Sequence, residues 1–294
     1  MRLYTMKGKW ELEIIGNDGL LEAWIDLAPG WFSINDLATD VESKFFLTEK
    51  FELLARHGFI EREGTRRGCY RKIKSDLKEM DFINANEEPV DIWLPFDISD
   101  LVEIYDGNLI IFAGAKDSGK TCLSLNIVKE NRNRMNVHYF NSEMGAGELK
   151  KRLSVFPDIA LDQWNFHAYE SAGDFEDVVF PGVGNLNIID FLEIHDEFYK
   201  VGQTLKAIHD RLNGAIAIVC LQKNPGQDTG LGGWRSMEVT RLALALDYER
   251  VKIVVGKNRR DPAKNPRGLI KKFSIKGGYQ IIDRHGWDRE IEDK

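Results

Sequence analysis

Between residues 114 and 121 the chain reads Gly114-Ala115-Lys116-Asp117-Ser118-Gly119-Lys120-Thr121, a full match to the pattern G-x-x-x-x-G-K-S/T. An apolar stretch precedes it and a helix-forming stretch, Cys122–Asn131, follows. These residue types in this order suit phosphate. The glycines let the backbone curl so that several N–H groups turn inward on phosphate oxygens, and the opening of the helix at Thr121 and Cys122 adds a positive end. Lys120 is expected to reach the β- and γ-phosphates of a nucleotide. The Thr121 hydroxyl is expected to ligate Mg²⁺, a hard cation that prefers oxygen. A carboxylate inside such a loop repels phosphate, so Asp117 must point away. The alternative is a glycine turn that matches by coincidence. With glycine at about 7% of residues, that happens on the order of once in a hundred chains of this length.

Polar residues close the apolar runs that come later. Val137–Phe140 leads into Asn141, Ser142 and Glu143; Leu186–Ile189 leads into Asp190; Ala215–Leu221 leads into Gln222. In an open parallel sheet, ligands bind beyond the carboxyl ends of the strands. Together these positions make an ATP-hydrolysis site. Glu143 is the candidate general base for the attacking water. Asp190 would hold Mg²⁺ through its water shell, and Gln222 would sense the γ-phosphate. Taken singly, an acid after a strand is most often just the start of a solvated loop. Asp190 stands out because a carboxylate after a run of isoleucines is costly unless something uses it.

The elements that must position these groups follow from periodicity. Continuous apolar runs at Leu109–Ala113, Val137–Phe140, Leu186–Ile189 and Ala215–Leu221 alternate with helical stretches at Cys122–Asn131, Ala146–Leu153 and Gln203–Leu212. Such a pattern predicts a parallel sheet covered on both faces. Before residue 80 the pattern differs. Leu20–Leu27 reads as a helix stopped by Pro29 and Gly30. Ser33 heads a capping box for a helix through Ala38, and Thr48–Arg56 reads as a helix stopped by Gly58. A hairpin follows, from Phe59 and Ile60 through the turn Glu63-Gly64-Thr65 to Cys69–Ile73. That order is expected of a winged helix-turn-helix module. The chain thus divides into a winged-helix-like domain over 1–80, a polar, proline-bearing linker over 81–100, and an α/β ATPase domain over 101–294.

The motifs of the second part resemble those of the RecA/DnaB superfamily of ring- and filament-forming ATPases. The run Tyr139-Phe140-Asn141-Ser142-Glu143-Met144, with Glu148, Leu149, Arg152 and Leu153 after it, resembles the DnaB-type segment that carries the catalytic glutamate. Asn187–Leu192 resembles its Walker B strand, Leu221-Gln222-Lys223 its sensor glutamine, and Ile253–Arg259 the strand and K-x-R motif that enters a neighbouring subunit's ATP site. Lys272–Tyr279 resembles the closing hairpin. The resemblance runs from about residue 101 to 282. It implies a RecA-like fold, ATP and Mg²⁺ as ligands, and a homo-oligomeric ring or filament, with a hexamer expected. Arg259 becomes an arginine finger in trans with Lys257 beside it; the alternative is a solvated basic turn ahead of Asp261 and Pro262. The helical N-terminal domain of replicative helicases is absent and the chain is short. A phage or mobile-element ATPase that loads or remodels DNA fits equally. Two further alternatives stay open: a regulatory ATPase of the KaiC/RadA branch, whose winged helix docks a protein or an operator, and a small-molecule P-loop kinase.

DNA contacts are expected at two places. The loop Asn224–Glu238 is glycine-rich and carries Trp234 and Arg235, with Lys223 just before it; an aromatic can stack on a base and a cation can pair with phosphate. At the hairpin, Arg66 and Arg67 lie among Arg62, Arg71, Lys72 and Lys74, a basic wing suited to phosphates. The helix before it carries Glu49 and Glu52, which favours a protein partner. Over all 294 residues, 40 Lys and Arg against 47 Asp and Glu give a net charge of −7, so contacts with nucleic acid must be confined ones. Hydrophobic residues at 43% supply real cores. The cysteines, Cys69, Cys122 and Cys220, are odd in number and widely spaced. They indicate neither a zinc site nor a disulfide framework and fit a reducing cytoplasm. The first residues lack the apolar core of a signal peptide, and no apolar run reaches the length of a membrane span.

Overall fold

The computed structural model describes residues 18–28, 30–38, 40–64, 66–73, 81–171, 173–190, 192 and 201–289. The chain forms two compact units, Met1–Ala85 and Asn86–Lys294.

The first unit comprises α1 (Asp18–Leu27), β1 (Trp31–Ser33), a 3-10 turn (Ile34–Asp36), α2 (Val41–Arg56), β2 (Ile60–Arg62) and β3 (Cys69–Lys72). Ser33 and Asp36 form the expected reciprocal cap, with the Ser33 N–H donating to Asp36 Oδ2 at 2.7 Å. The cap starts only a 3-10 turn, not a helix through Ala38. Asp40 is the cap the sequence reading overlooked. Its Oδ1 accepts the Ser43 N–H at 2.7 Å, so α2 begins at Val41 and not near Thr48. Gly58, at φ +77°, stops it as expected. The strands pair antiparallel in the order β1-β3-β2, an arrangement compatible with a winged helix. Phe32, Phe51 and Tyr70 meet edge-on at 5.8 and 5.2 Å in a small core with Leu21, Ile25, Leu47 and Ile60. Pro29, Thr65 and Lys74 lie outside the described residues.

In the second unit the order is β4 (Leu109–Gly114), α3 (Lys120–Asn131), β5 (Asn136–Asn141), α4 (Ala146–Leu153), β6 (His167–Glu170), α5 (Phe175–Val178), β7 (Asn185–Asp190), α6 (Val201–Leu212) and β8 (Ile216–Gln222). It closes with β9 (Leu242–Asp247), β10 (Arg250–Gly256), β11 (Leu269–Lys276), β12 (Gln280–Asp283) and β13 (Asp288–Arg289). One sheet runs β12-β11-β10-β9-β4-β8-β7-β5-β6, with β13 on β11. It is parallel from β9 across to β6 and antiparallel from β9 to β12. The alternation along β4 makes two cores. Ile110 and Phe112 face the side of Leu123 and Ile127 on α3. Leu109, Ile111 and Ala113 face Leu205, Ile208 and Leu212 on α6. Burial on both faces is why these strands read as unbroken apolar runs.

The expected linker over 81–100 needs correction. Residues 86–100 belong to the second unit, where Ile92, Leu94, Phe96 and Ile98 are buried in its larger core. Polar residues and prolines disguised a strap whose apolar side chains alternate. Asn131, at the end of α3, fastens it. Its Oδ1 accepts the Trp93 N–H at 2.8 Å and its Nδ2 donates to the Trp93 carbonyl at 3.0 Å. Among the described residues no helix is long and apolar enough to cross a membrane.

Candidate functional site

β4 delivers its last residue, Gly114, between Gln222 of β8 and Leu246 of β9. The Ala115 N–H donates to the Leu246 carbonyl at 3.0 Å, and the chain turns back so that the Ser118 N–H reaches the Ala115 carbonyl at 3.3 Å. Both glycines are required by space. A Cβ on Gly114 would lie 2.5 Å from Ser118 Oγ and 2.6 Å from Lys120 Cγ, and one on Gly119 would lie 2.3 Å from Ile275 Cδ1 at a φ of +92°. Lys120 opens α3 and folds back over the loop, its Nζ donating to the Gly114 and Ala115 carbonyls at 3.1 and 3.0 Å. Lys116 and Asp117 are exposed. Asp117 takes a left-handed φ of +59°, which fits its expected outward placement. Cys122 is buried with its thiol beside Asn126, and burial pushes that thiol up to about 12. Only its backbone faces the loop's side of the helix start.

Asp190 ends β7 beside Asn141, which ends β5. It is only 4% exposed. Tyr139 Oη donates to its Oδ2 at 2.7 Å, and the Thr121 hydroxyl bonds to it as well. Burial raises its pKa; the bonds from Tyr139 and Thr121 and the charge of Lys120 oppose the rise, and Glu143 adds to it. Glu143 sits on a turn that Asn141 builds. Asn141 Oδ1 accepts the N–H groups of Glu143 and Met144 at 3.2 and 3.0 Å, and its Nδ2 donates to the Met144 carbonyl. The carboxylate of Glu143 is exposed. Gln222, also exposed, ends β8 next to Gly114. The strand ends therefore gather Lys120, Thr121, Glu143, Asp190 and Gln222 on one side of the sheet.

The residues fit a nucleotide and a hard divalent cation. Ser118 Oγ is buried in the cradle without a hydrogen-bond partner among the described residues, as an acceptor-rich ligand would require. Thr121 and Asp190 supply an all-oxygen set. No group of three or more His, Cys, Asp or Glu side chains forms a metal cluster among the described residues. That suits a cation held largely by phosphate and water.

Lys257 and Arg259 lie elsewhere. The Lys257 N–H donates to the Arg241 carbonyl, and the Arg241 N–H to the Leu109 carbonyl, both at 3.0 Å. They sit where β4 begins, while the phosphate loop is where β4 ends, about 20 Å away at 3.3 Å per residue. The segment is built, not loose: Arg259 bridges Val102, and the Arg260 N–H donates to the Leu101 carbonyl at 3.1 Å. Arg259 is exposed, with one contact from its guanidinium to the Pro262 carbonyl at 3.4 Å. Lys257 donates to the Glu238 carbonyl at 3.2 Å, and partial burial, then Arg241, holds its ammonium below the usual pKa.

Of the residues expected to meet nucleic acid, Lys223 is placed otherwise. Its side chain is fully buried, with Nζ 2.5 Å from Asp247 Oδ1. It clamps β8 to β9 and offers nothing to a ligand. Trp234 is 59% exposed, under the Arg267 guanidinium at 5.7 Å. Arg235 is exposed on a 3-10 turn, Gly233–Met237, that packs on α6. At the hairpin Arg66 and Arg67 are exposed. Its other described cations are engaged: Arg62 with Glu52, Arg71 with Glu61, and Lys72 with Asp26.

No family model and no curated protein matches the chain. Among solved structures, a KaiC-like protein from the hyperthermophilic archaeon Pyrococcus horikoshii aligns over 67% of this chain and 99% of its own, at 16% identity and a TM-score of 0.53. The chain carries a RecA-like P-loop fold. A DnaB-like ATPase domain aligns over 62% of this chain and 86% of its own, at 16% identity and a TM-score of 0.48. The RadB recombinase aligns over 62% of this chain and 94% of its own, again at 16% identity, with a TM-score of 0.46.

Proposed function

We propose that this protein is a Mg²⁺-dependent ATPase of RecA/DnaB type that works as a homo-oligomer on DNA, loading or remodelling it. The observation that carries this is the division of the catalytic set. The loop, Thr121, Asp190, Glu143 and Gln222 lie at the carboxyl ends of the strands, and Lys257 and Arg259 at the opposite end. One subunit cannot bring them together, and a second subunit stacked head to tail can. In this assignment Lys120 and the loop N–H groups hold the triphosphate. Thr121 and Asp190 hold Mg²⁺, which withdraws charge from the β- and γ-phosphates. Glu143 accepts a proton from the water that attacks the γ-phosphorus, and ADP leaves. Arg259 of the neighbour neutralises charge as it develops, a contribution of about 10³–10⁵ where such fingers have been measured. Trp234, Arg235, Arg66 and Arg67 remain the candidate DNA contacts.

Glu143→Gln is expected to keep ATP binding and lower hydrolysis by about 10²–10⁴. Mixing Lys120→Ala with Arg259→Ala subunits tests the shared site: activity returns in the mixture if a finger acts across the interface, and its failure to return refutes that. Hydrolysis unchanged by any DNA would refute the DNA role. One observation favours a second reading, a regulatory ATPase whose N-terminal unit docks a protein: the pairing of Arg62, Arg71 and Lys72 with carboxylates leaves little free positive charge on the hairpin. ATP-driven assembly without strand-dependent turnover is its signature.

A further inference from the structure

Asp190 stands in a ring of uncharged donors contributed by three elements. Tyr139 Oη, from β5, is 2.7 Å from Oδ2. The Thr121 hydroxyl comes from α3, and the Cys220 thiol, from β8, also contacts the carboxylate while lying 3.4 Å from Ser124 Oγ. A carboxylate this buried depends on every bond it receives. The three donors are unequal. A thiol is a weak donor. A threonine hydroxyl in this loop position is the one that a bound cation takes over, so it turns from Asp190 when Mg²⁺ arrives. Tyr139 is left. It is fully buried, packed edge-on against Phe166 at 6.2 Å, and fixed on the strand beside β7, with its register partner Ile188 two residues from Asp190.

We infer that Tyr139 is a positioning residue for the cation site: by fixing Oδ2 of Asp190 it keeps the carboxylate turned toward the water shell of Mg²⁺ when Thr121 has changed partners. This rests on the nucleotide-site assignment above. Nothing in the motif patterns points to it, because an aromatic in a buried strand reads as core.

The test is Tyr139→Phe, which keeps the ring and its packing and removes only the hydroxyl. Binding of a fluorescent, non-hydrolysable ATP analogue is measured while Mg²⁺ is titrated, and again in excess EDTA. In the variant the Mg²⁺ concentration for half-maximal enhancement should rise by about 10–100-fold, the usual effect of losing an outer partner of a metal ligand. Binding in EDTA should not change, since the phosphate loop is untouched. Cys220→Ala should shift the Mg²⁺ midpoint by less than about twofold, as expected for a weak donor. An unchanged midpoint in Tyr139→Phe overturns the inference, and so does an equal shift in both variants, which would mean general loosening. If the unmodified protein itself shows no Mg²⁺-enhanced binding, the nucleotide-site assignment is what fails.

Discussion

Asn131 offers the sharpest measure of how the phosphate-loop helix is anchored. It is fully buried at the last turn of α3, and its amide serves the backbone of Trp93 twice: one bond to the N–H at 2.8 Å and one from Nδ2 to the carbonyl at 3.0 Å. Nδ2 also donates to the Ile127 carbonyl at 2.8 Å, an oxygen the helix ladder already uses. Asn131→Ala therefore orphans two groups of the strap. Each unsatisfied buried group costs about 1–3 kcal/mol. Water entering at the half-buried Trp93 recovers part of this, so a loss of about 3 kcal/mol is expected, toward the lower half of that sum. For a unit of this size that is roughly 6–12 °C in Tm. Urea unfolding followed by tryptophan fluorescence reads it, with the slope unchanged. Asn131→Asp keeps the acceptor for the Trp93 N–H but aims a carboxylate at two carbonyls. It should be at least as unstable at neutral pH and regain stability in acid, where the protonated form donates again. A loss below about 1 kcal/mol for Asn131→Ala would mean that the strap is held by its apolar side chains alone.

Gly114→Ala should fold yet lose nucleotide affinity by about 100-fold, because the added Cβ displaces Lys120 from its charged hydrogen bonds; isothermal titration reads the loss against an unchanged melting curve. Lys223→Ala should destabilise the second unit by about 3 kcal/mol by leaving Asp247 unpaired. It should not alter the salt dependence of DNA binding, whereas Arg235→Ala should reduce that slope by about 0.9 on duplex if it meets a phosphate. Burial holds His138 below its usual pKa of 6.5. The unfolded chain then takes up a proton near 6.5 while the folded one does not. The associated stability is complete above pH 6.5 and is lost as pH falls toward the lowered value. His138→Phe, which keeps a ring stacked on Phe180, should flatten that acid limb, as a series of urea midpoints between pH 7 and 5 would show.

The parallel half of the sheet was legible because burial on both faces leaves no polar alternation to confuse. β4, β5, β7 and β8 all appear as apolar runs, and the polar residues that end them are the candidate site. β9 escaped notice: Leu242–Asp247 alternates leucine with alanine and lacks the β-branched residues that mark the other strands. Lys223 was misplaced because a lysine beside a glycine-rich loop reads as solvent-facing, and its partner, Asp247, lies 24 residues away. The strap at 86–100 failed for a similar reason. Local composition announced a linker, while burial there is decided by contacts with α3 and β11. Tyr139 and Asn141 do their work through hydrogen bonds that carry no spacing signal.

The strap also decides where this protein can be cut. A fragment begun at residue 101, just where motif resemblance starts, would lack Ile92, Leu94, Phe96 and Ile98. At about 1.5–3 kcal/mol for each buried side chain, that removes roughly 6–12 kcal/mol, comparable to the entire stability of an ordinary domain. A fragment begun at residue 86 keeps all four and the two bonds to Asn131. Whatever is grafted ahead of this ATPase unit, by evolution or by an experimenter, must join upstream of the strap. The first unit is a replaceable head only if those fifteen residues stay behind with the body.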